Sequence, residues 1–266
     1  MLTITRETSR GLASELHPCR MVDGSSQEDW GECRERHPMR RVVAFGAACM
    51  LTLVVSVGAA RADATADKIA AAKAALARHD YATELRLLRP LARRGNAFAE
   101  GALGAAYFEG WGVKKNNREA VKWFRRAANQ GDAAGKMGLG ILYENGAGVP
   151  QNFEEAAKLY RASAVQGNPS AQFFLGQMYQ FGKGVQQNYP EAVIWYRAAA
   201  NQNFLYAETA LADAYDSGRG VAKNYVEASK WYRKAAAQGN ARAEAMLGGM
   251  YAYGVGVPRD YVQAYM

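Results

Sequence analysis

The chain has 266 residues, 49% of them hydrophobic, enough apolar surface for a continuous core. Its three cysteines, Cys19, Cys33 and Cys49, all precede residue 63, which excludes a disulfide framework, a cysteine nucleophile and a thiolate metal site from everything that follows. The formal charge is +8, and +7 of it lies after residue 62, where it either faces solvent or marks an anionic partner.

In chain order, residues 1–38 are polar and irregular. Met39-Arg40-Arg41 then opens an apolar run, Val42 to Ala60, which ends in Ala60-Arg61-Ala62-Asp63. A basic start, an apolar middle and an A-x-A end predict a signal peptide over 39–62, cleaved after Ala62. Residues 1–38 therefore read as a mis-assigned, disordered upstream segment, with translation expected to start at Met39. The competing reading is a signal anchor, because the run of 19 residues is near the minimum that spans a bilayer. Either way the rest of the chain is expected beyond the cytoplasmic membrane. It would be periplasmic or secreted if cleaved, and would face the periplasm from the inner membrane if not.

Residues 63–95 predict a degenerate helix pair. Ala66 to Ala77 has helix-forming composition, with Ile69, Ala72 and Leu76 on one face. Asp80 caps a second helix through Leu85, Leu88 and Leu91 that ends at Arg94-Gly95, with Pro90 awkward inside it.

From residue 96 onward one paragraph of sequence is written five times, as units 96–131, 132–167, 168–203, 204–239 and an incomplete 240–266. Leu103-Gly104, Leu139-Gly140, Leu175-Gly176, Leu211-Ala212 and Leu247-Gly248 step by 36 residues, as do Tyr107, Tyr143, Tyr179, Tyr215 and Tyr251. Such a fixed period is the signature of a stacked repeat array. Each unit predicts a helix A, a loop and a helix B. Helix A of the first unit runs from about Ala97 to Glu109, with Ala99, Leu103 and Tyr107 as its apolar stripe. Gly104 is expected to let a neighbouring helix approach, and Gly110 to end helix A in a left-handed conformation. Asn116 with Glu119, Asn152 with Glu155, Asn188 with Glu191, Asn224 with Glu227, and Asp260 with Gln263 predict capping boxes at the start of helix B. Helix B turns Ala120, Trp123, Ala127 and Ala128 inward and ends at Gly131, Gly167, Asn203 or Gly239. One hairpin cannot bury both its faces, but a stack can.

The recurring pattern, A-x-x-x-L-G-x-x-Y-x-x-G-x-G-V-x-x-N-x-x-E-A-x-x-W-(F/Y)-R-x-A-A-x-Q-G-(D/N), resembles the Sel-one-like repeat (SLR), a relative of the tetratricopeptide repeat. The resemblance covers 96–266 well and 66–95 loosely. It implies an all-α, right-handed α/α superhelical solenoid that assembles other proteins, from a family of adaptors without catalysis, many of them bacterial and exported. The lack of cysteine in the repeats departs from a disulfide-stapled subgroup.

Other features admit two readings each. Gly110-Trp111-Gly112 looks like half a phosphate loop, but no strand precedes it, which leaves a helix C-cap and turn. Asp213 and Asp216 with nearby Glu208 could form a carboxylate cluster, or simply a solvated groove face. His79 reads as a partner for a helix C-terminus rather than a catalyst. Arg125, Arg161, Arg197 and Arg233 recur as a solvated convex face rather than a nucleic-acid footprint. By similarity to tetratricopeptide arrays, the concave groove is lined by Phe98, Ala105, Phe108, Met137, Ile141, Phe173, Gln177, Gln180, Tyr206 and Asp213, unless several of these pack between repeats. The fifth unit stops at Met266 just before its helix B aromatic, so either the sequence is incomplete, which is the favoured expectation, or the last hairpin frays.

The expectation is an exported, non-enzymatic scaffold that binds a protein or peptide through its concave face, with no cofactor, metal or nucleic acid. Envelope polysaccharide or peptidoglycan binding is the alternative, and an enzyme the minor one.

Overall fold

A computed structural model describes residues 64–264, and among them every regular element is a helix. The upstream segment 1–38, the signal segment 39–62, all three cysteines and Met266 lie outside the described residues. Helix α1 spans 64–77 and α2 Tyr81–Arg93. Five A–B hairpins follow. They are α3 (Ala97–Glu109) with α4 (Asn117–Asn129), α5 (Ala133–Asn145) with α6 (Phe153–Ala164), and α7 (Pro169–Phe181) with α8 (Tyr189–Ala200). Then come α9 (Leu205–Ser217) with α10 (Tyr225–Ala237), and α11 (Ala241–Tyr253) with the short α12 (Tyr261–Ala264). Each A helix packs on its own B helix and each full B helix on the next A helix, which makes a solenoid with the predicted 36-residue period.

Local chemistry sets the helix ends. Asn116, Asn152, Asn188 and Asn224 each accept a bond at 2.9–3.2 Å from the backbone N–H three residues on. Each such cap stabilises its helix by about 1 kcal/mol. The second half of the expected capping box does not form. The N–H of Asn116 is already donated to the Tyr107 carbonyl at 2.8 Å, in the last turn of helix A, and Asn152, Asn188 and Asn224 repeat that bond at 2.9 Å. With the capping donor taken, Glu119, Glu155 and Glu227 pair with Lys122, Lys158 and Lys230, and Glu191 accepts from the Trp195 indole.

The core lies mostly between units. Ala156, Ala157, Tyr160 and Ala164 of α6 close over Ala171, Leu175 and Met178 of α7, and α8 closes over α9 in the same way. The aromatic that helix B buries is not the expected Trp123 but the next residue. Phe124, Tyr160, Tyr196 and Tyr232 are buried, while Trp123, Trp195 and Trp231 are half-buried. Val121 joins Ala120 and Ala127 in the core. That shifts the centre of the buried face onto Phe124 and leaves Trp123 at its edge.

The glycine of the Leu-Gly pair accordingly admits a ring rather than a helix backbone. A Cβ on Gly104, Gly140 or Gly176 would stand 2.6, 2.7 or 2.5 Å from the ring of Phe124, Tyr160 or Tyr196. A further glycine in each loop joins successive units. At Gly184, φ is +65°, and a Cβ would stand 2.1 Å from the Phe153 carbonyl oxygen, at the start of the preceding unit's B helix. Gly220 and Gly256 meet the Tyr189 and Tyr225 carbonyls at 2.3 Å in the same way.

These two kinds of glycine separate in a stability measurement. Gly184→Ala combines a left-handed φ with a clash against a carbonyl and is expected to cost more than about 2 kcal/mol. Gly167→Ala, at φ +89° with nothing within 4 Å of the added Cβ, is expected to cost about 1 kcal/mol. Urea unfolding midpoints check the order, and equal losses would remove the contact between units as the cause.

Candidate functional site

A cavity of about 280 Å³ opens between α1–α2 and the A helices of the first two units. Phe98, Ala105 and Phe108 of α3 and Met137 and Ile141 of α5 all line it, so five of the predicted groove positions share one space. Its apolar character comes from a variation in the first unit. In later units the buried ring is a tyrosine whose hydroxyl donates to an acceptor on helix A. Tyr160 donates to Glu144 at 2.8 Å, Tyr196 to Gln180 at 2.5 Å and Tyr232 to Asp213 at 2.6 Å. The first unit has phenylalanine at both places, Phe108 and Phe124, and the two pack together without a polar pair.

One lining residue is polar and deeply buried. Glu84 of α2 is 5% exposed, its Oε2 has no hydrogen-bond partner, and burial pushes its carboxyl above the ordinary carboxylate range. Repeat spacing does not point to it. The available signal is that Glu84 shares the apolar face of α2 with Leu88 and Leu91 at i, i+4 and i+7. At the rim, the Lys73 ammonium lies 4.8 Å from the centre of the Phe98 ring, and Trp111 stacks on Tyr81 at 5.5 Å.

Two other predicted positions, Gln180 and Asp213, meet in a second cavity of about 300 Å³ with Asp216, Arg219 and Arg242. Both already serve the fold, since Gln180 accepts from Tyr196, and Asp213 from Tyr232 and from Arg242 at 2.8 Å. Burial, with neighbouring carboxylate charge, pushes both tyrosine hydroxyls well above their ordinary range. Phe173 lies among the rings of Phe174, Tyr196, Phe204 and Tyr206, where Tyr206 remains 60% exposed. Gln177 lines neither cavity.

The other sequence readings change in detail. Glu208 is fully buried rather than on a solvated face, and it accepts from Gln238 at 2.7 Å. Glu100 with Gln130 and Gln172 with Gln202 make the same contact at 2.6 and 2.9 Å, which explains the glutamine of the Q-G signature. The repeated arginines are also not merely solvated. Arg125, Arg161, Arg197 and Arg233 donate to the hydroxyls of Tyr143, Tyr179, Tyr215 and Tyr251 in the following unit. His79 takes a left-handed φ of 58° after α1, and its Nδ1 pairs with the Tyr81 hydroxyl at 3.0 Å.

Glu84 makes a pH-dependent prediction. A carboxyl whose folded pKa is raised destabilises the fold above that pKa, and the penalty fades as pH falls toward the ordinary carboxylate value and both states become protonated. Glu84→Gln is therefore expected to raise the melting temperature at pH 7, with the gain disappearing by about pH 4. A gain that is constant with pH would show that the Glu84 charge is not its source.

Comparison with known proteins bears on the whole array. The chain matches a protective antigen of uropathogenic Escherichia coli displaying an SLR fold at 41% identity and a TM-score of 0.63, over 68% of this chain and 40% of that one. This chain thus spans well under half of that protein's length. It matches a Sel1 repeat protein from Oxalobacter formigenes at 33% identity and a TM-score of 0.67, over 75% of this chain and 79% of that one. A comparison with curated proteins gave no match. The family model for the Sel1 repeat matches five times in succession, over 97–132, 133–168, 169–204, 205–240 and 241–266, and the chain belongs to the Sel1 repeat family.

Proposed function

We propose that this protein is an exported, non-enzymatic scaffold that holds another protein or peptide against the concave face formed by its A helices. Sel1 repeat proteins are generally protein-interaction scaffolds without catalysis. The observation that carries the reading to a surface is the convergence of Phe98, Phe108, Met137 and Ile141, from two successive A helices, on one apolar cavity. Aromatic and methionine side chains around a cavity are the usual anchors of a bound partner. The opposite side suits the role of support, since the repeated arginines there clip one unit to the next. Export rests on the basic start, apolar run and A-x-A end of 39–62. Among the described residues no helix is long and apolar enough to cross a membrane.

Envelope glycan binding is the second reading, favoured by Tyr206, which stands exposed beside Phe173 and Phe204 as an aromatic platform for a sugar face.

The test is a crosslinking capture on exported protein, comparing wild type with Phe108→Ala/Tyr206→Ala and with Arg125→Ala/Arg161→Ala, and mass spectrometry to read the N-terminus of the bait. The expected result is an envelope protein captured by wild type and the arginine variant and lost from the aromatic one. Loss only in the arginine variant would move the binding face to helix B. A chain retained inside the cytoplasm would overturn export.

A further inference from the structure

We propose that the second cavity, between α7, α9 and α11, is a carboxylate-binding site, and that its occupant is a glutamate side chain of the peptide held on the concave face. The inference deepens the scaffold reading above and rests on it. It comes from setting one pair of residues beside the equivalent pair one unit earlier.

In the earlier unit the pair is Glu144 and Lys183. Glu144 accepts from the Tyr160 hydroxyl at 2.8 Å through Oε2, and its Oε1 lies 4.0 Å from the Lys183 ammonium in the next loop. One period on, the pair is Gln180 and Arg219. The loop keeps its shape, with φ +65° at both Gly182 and Gly184 and +73° and +77° at Gly218 and Gly220. The tyrosine bond is kept as well, since Tyr196 donates to Gln180 Oε1. Only the charge has gone. An amide stands where the carboxylate stood, and Arg219 makes no ion pair among the described residues.

The groups left around that gap are donors. Gln180 spends its oxygen on Tyr196, and its Nε2 has no acceptor among the described residues yet is reachable by solvent. Arg242 gives an N–H to Asp213 at 2.8 Å and has further N–H groups to give. All three side chains line the cavity of about 300 Å³. The two acids that line it are already matched. Asp213 accepts from Tyr232 and Arg242, and Asp216 lies within electrostatic reach of Lys223. Arg219 carries the charge that nothing answers.

A carboxylate fits this arrangement. It carries one negative charge, it can take two parallel N–H bonds from a guanidinium, and it can accept from the Gln180 amide beside it. A neutral amide would leave Arg219 unmatched, and the second charge of a phosphate would face Asp213 and Asp216. The occupant of the equivalent place, Glu144, is a side chain on a backbone that continues in both directions, which selects a glutamate over a chain end. Val193, Ala210 and Met246 offer its methylenes an apolar wall.

NMR titration of the exported protein tests this, read at the backbone amides of Ala210, Ala214 and Ser217, which line the cavity. The probes are N-acetylglutamate N-methylamide, its glutamine counterpart, and N-acetylalanine, whose one carboxylate is a chain end. The glutamate probe is expected to shift these signals saturably, with the glutamine probe about tenfold weaker for loss of a charge-assisted pair, and N-acetylalanine weaker than the glutamate probe. Gln180→Glu restores the internal acid and should abolish the binding, as should Arg219→Gln at its exposed loop position, with the rest of the spectrum unchanged in both.

Equal affinity of the glutamate and glutamine probes would overturn the carboxylate site. Binding that persists in Arg219→Gln would remove the unmatched charge as its cause, and a preference for N-acetylalanine would overturn the glutamate side chain as occupant. If Gln180→Glu leaves the partners captured by crosslinking unchanged, the site falls while the scaffold reading stands. A wild type that captures no partner at all would remove the scaffold reading.

Discussion

The structure depends on one recurring contact, the buried ring of helix B lying on a residue too small to refuse it. Phe124, Tyr160 and Tyr196 each occupy the space that a Cβ on Gly104, Gly140 or Gly176 would take. Phe124 lies equally close to Gly138 of the following A helix, where a Cβ would stand 2.4 Å away. The ring thus pins its own hairpin and the next one together. A glycine inside a helix costs about 1 kcal/mol of propensity, and burying the ring, worth about 1.5–3 kcal/mol, more than offsets it. Ala212 keeps the rule at the smallest possible departure, with Tyr232 buried against it.

With packing so uniform, differences among units fall on the polar positions. A buried hydroxyl or carboxyl gains from a partner, and the repeat usually supplies one at a recurring offset, 16 residues back for Tyr160 and Tyr196, though Tyr232 reaches 19 residues back. The tyrosine hydroxyls reach acceptors on their own helix A, and Gln130, Gln202 and Gln238 reach buried acids or amides of the same unit, while Gln166 bonds the Ala162 carbonyl instead. Where the pairing is dropped, a cavity changes character. Phe108 and Phe124 replace a polar pair with an apolar one, and the degenerate pair α1–α2 contributes Glu84 to the same space. A repeat array can acquire a specific site in this way, because one divergent unit changes the surface without disturbing the stacking register.

Much of the local structure was legible in the residues. Asn116 and its counterparts announce helix starts, Gly110 and its counterparts announce helix ends, and Asn203 holds the left-handed position that glycine holds elsewhere. Those signals act within a few residues of themselves, so spacing alone reveals them. The errors have a common origin. Trp123 and Phe124 are adjacent and both apolar, and only the neighbouring helices decide which one faces inward. Asn116 was expected to receive the Glu119 side chain, but a carbonyl nine residues upstream takes its N–H first. The other A helices are capped by Asn96, Asp132, Asn168 or Asn240, but Phe204 stands at that place with no side-chain cap bond, and its ring joins Phe173 and Tyr206 instead.

The sequence by itself determined the family, the period, the hairpin and the helix limits, because each follows from chemistry repeated at short range and a fixed step. It also proposed most of the residues that line the first cavity, since apolar positions on helix A recur with the repeat. Only the tertiary structure decided which of those positions meet in one space and which are already engaged. It brought Glu84 to Phe98 and Met137 across three helices, and it tied Asp213 to Tyr232 and Arg242. The physical reason is that burial and hydrogen-bond satisfaction are properties of the assembled stack. No single unit contains the neighbours that set them.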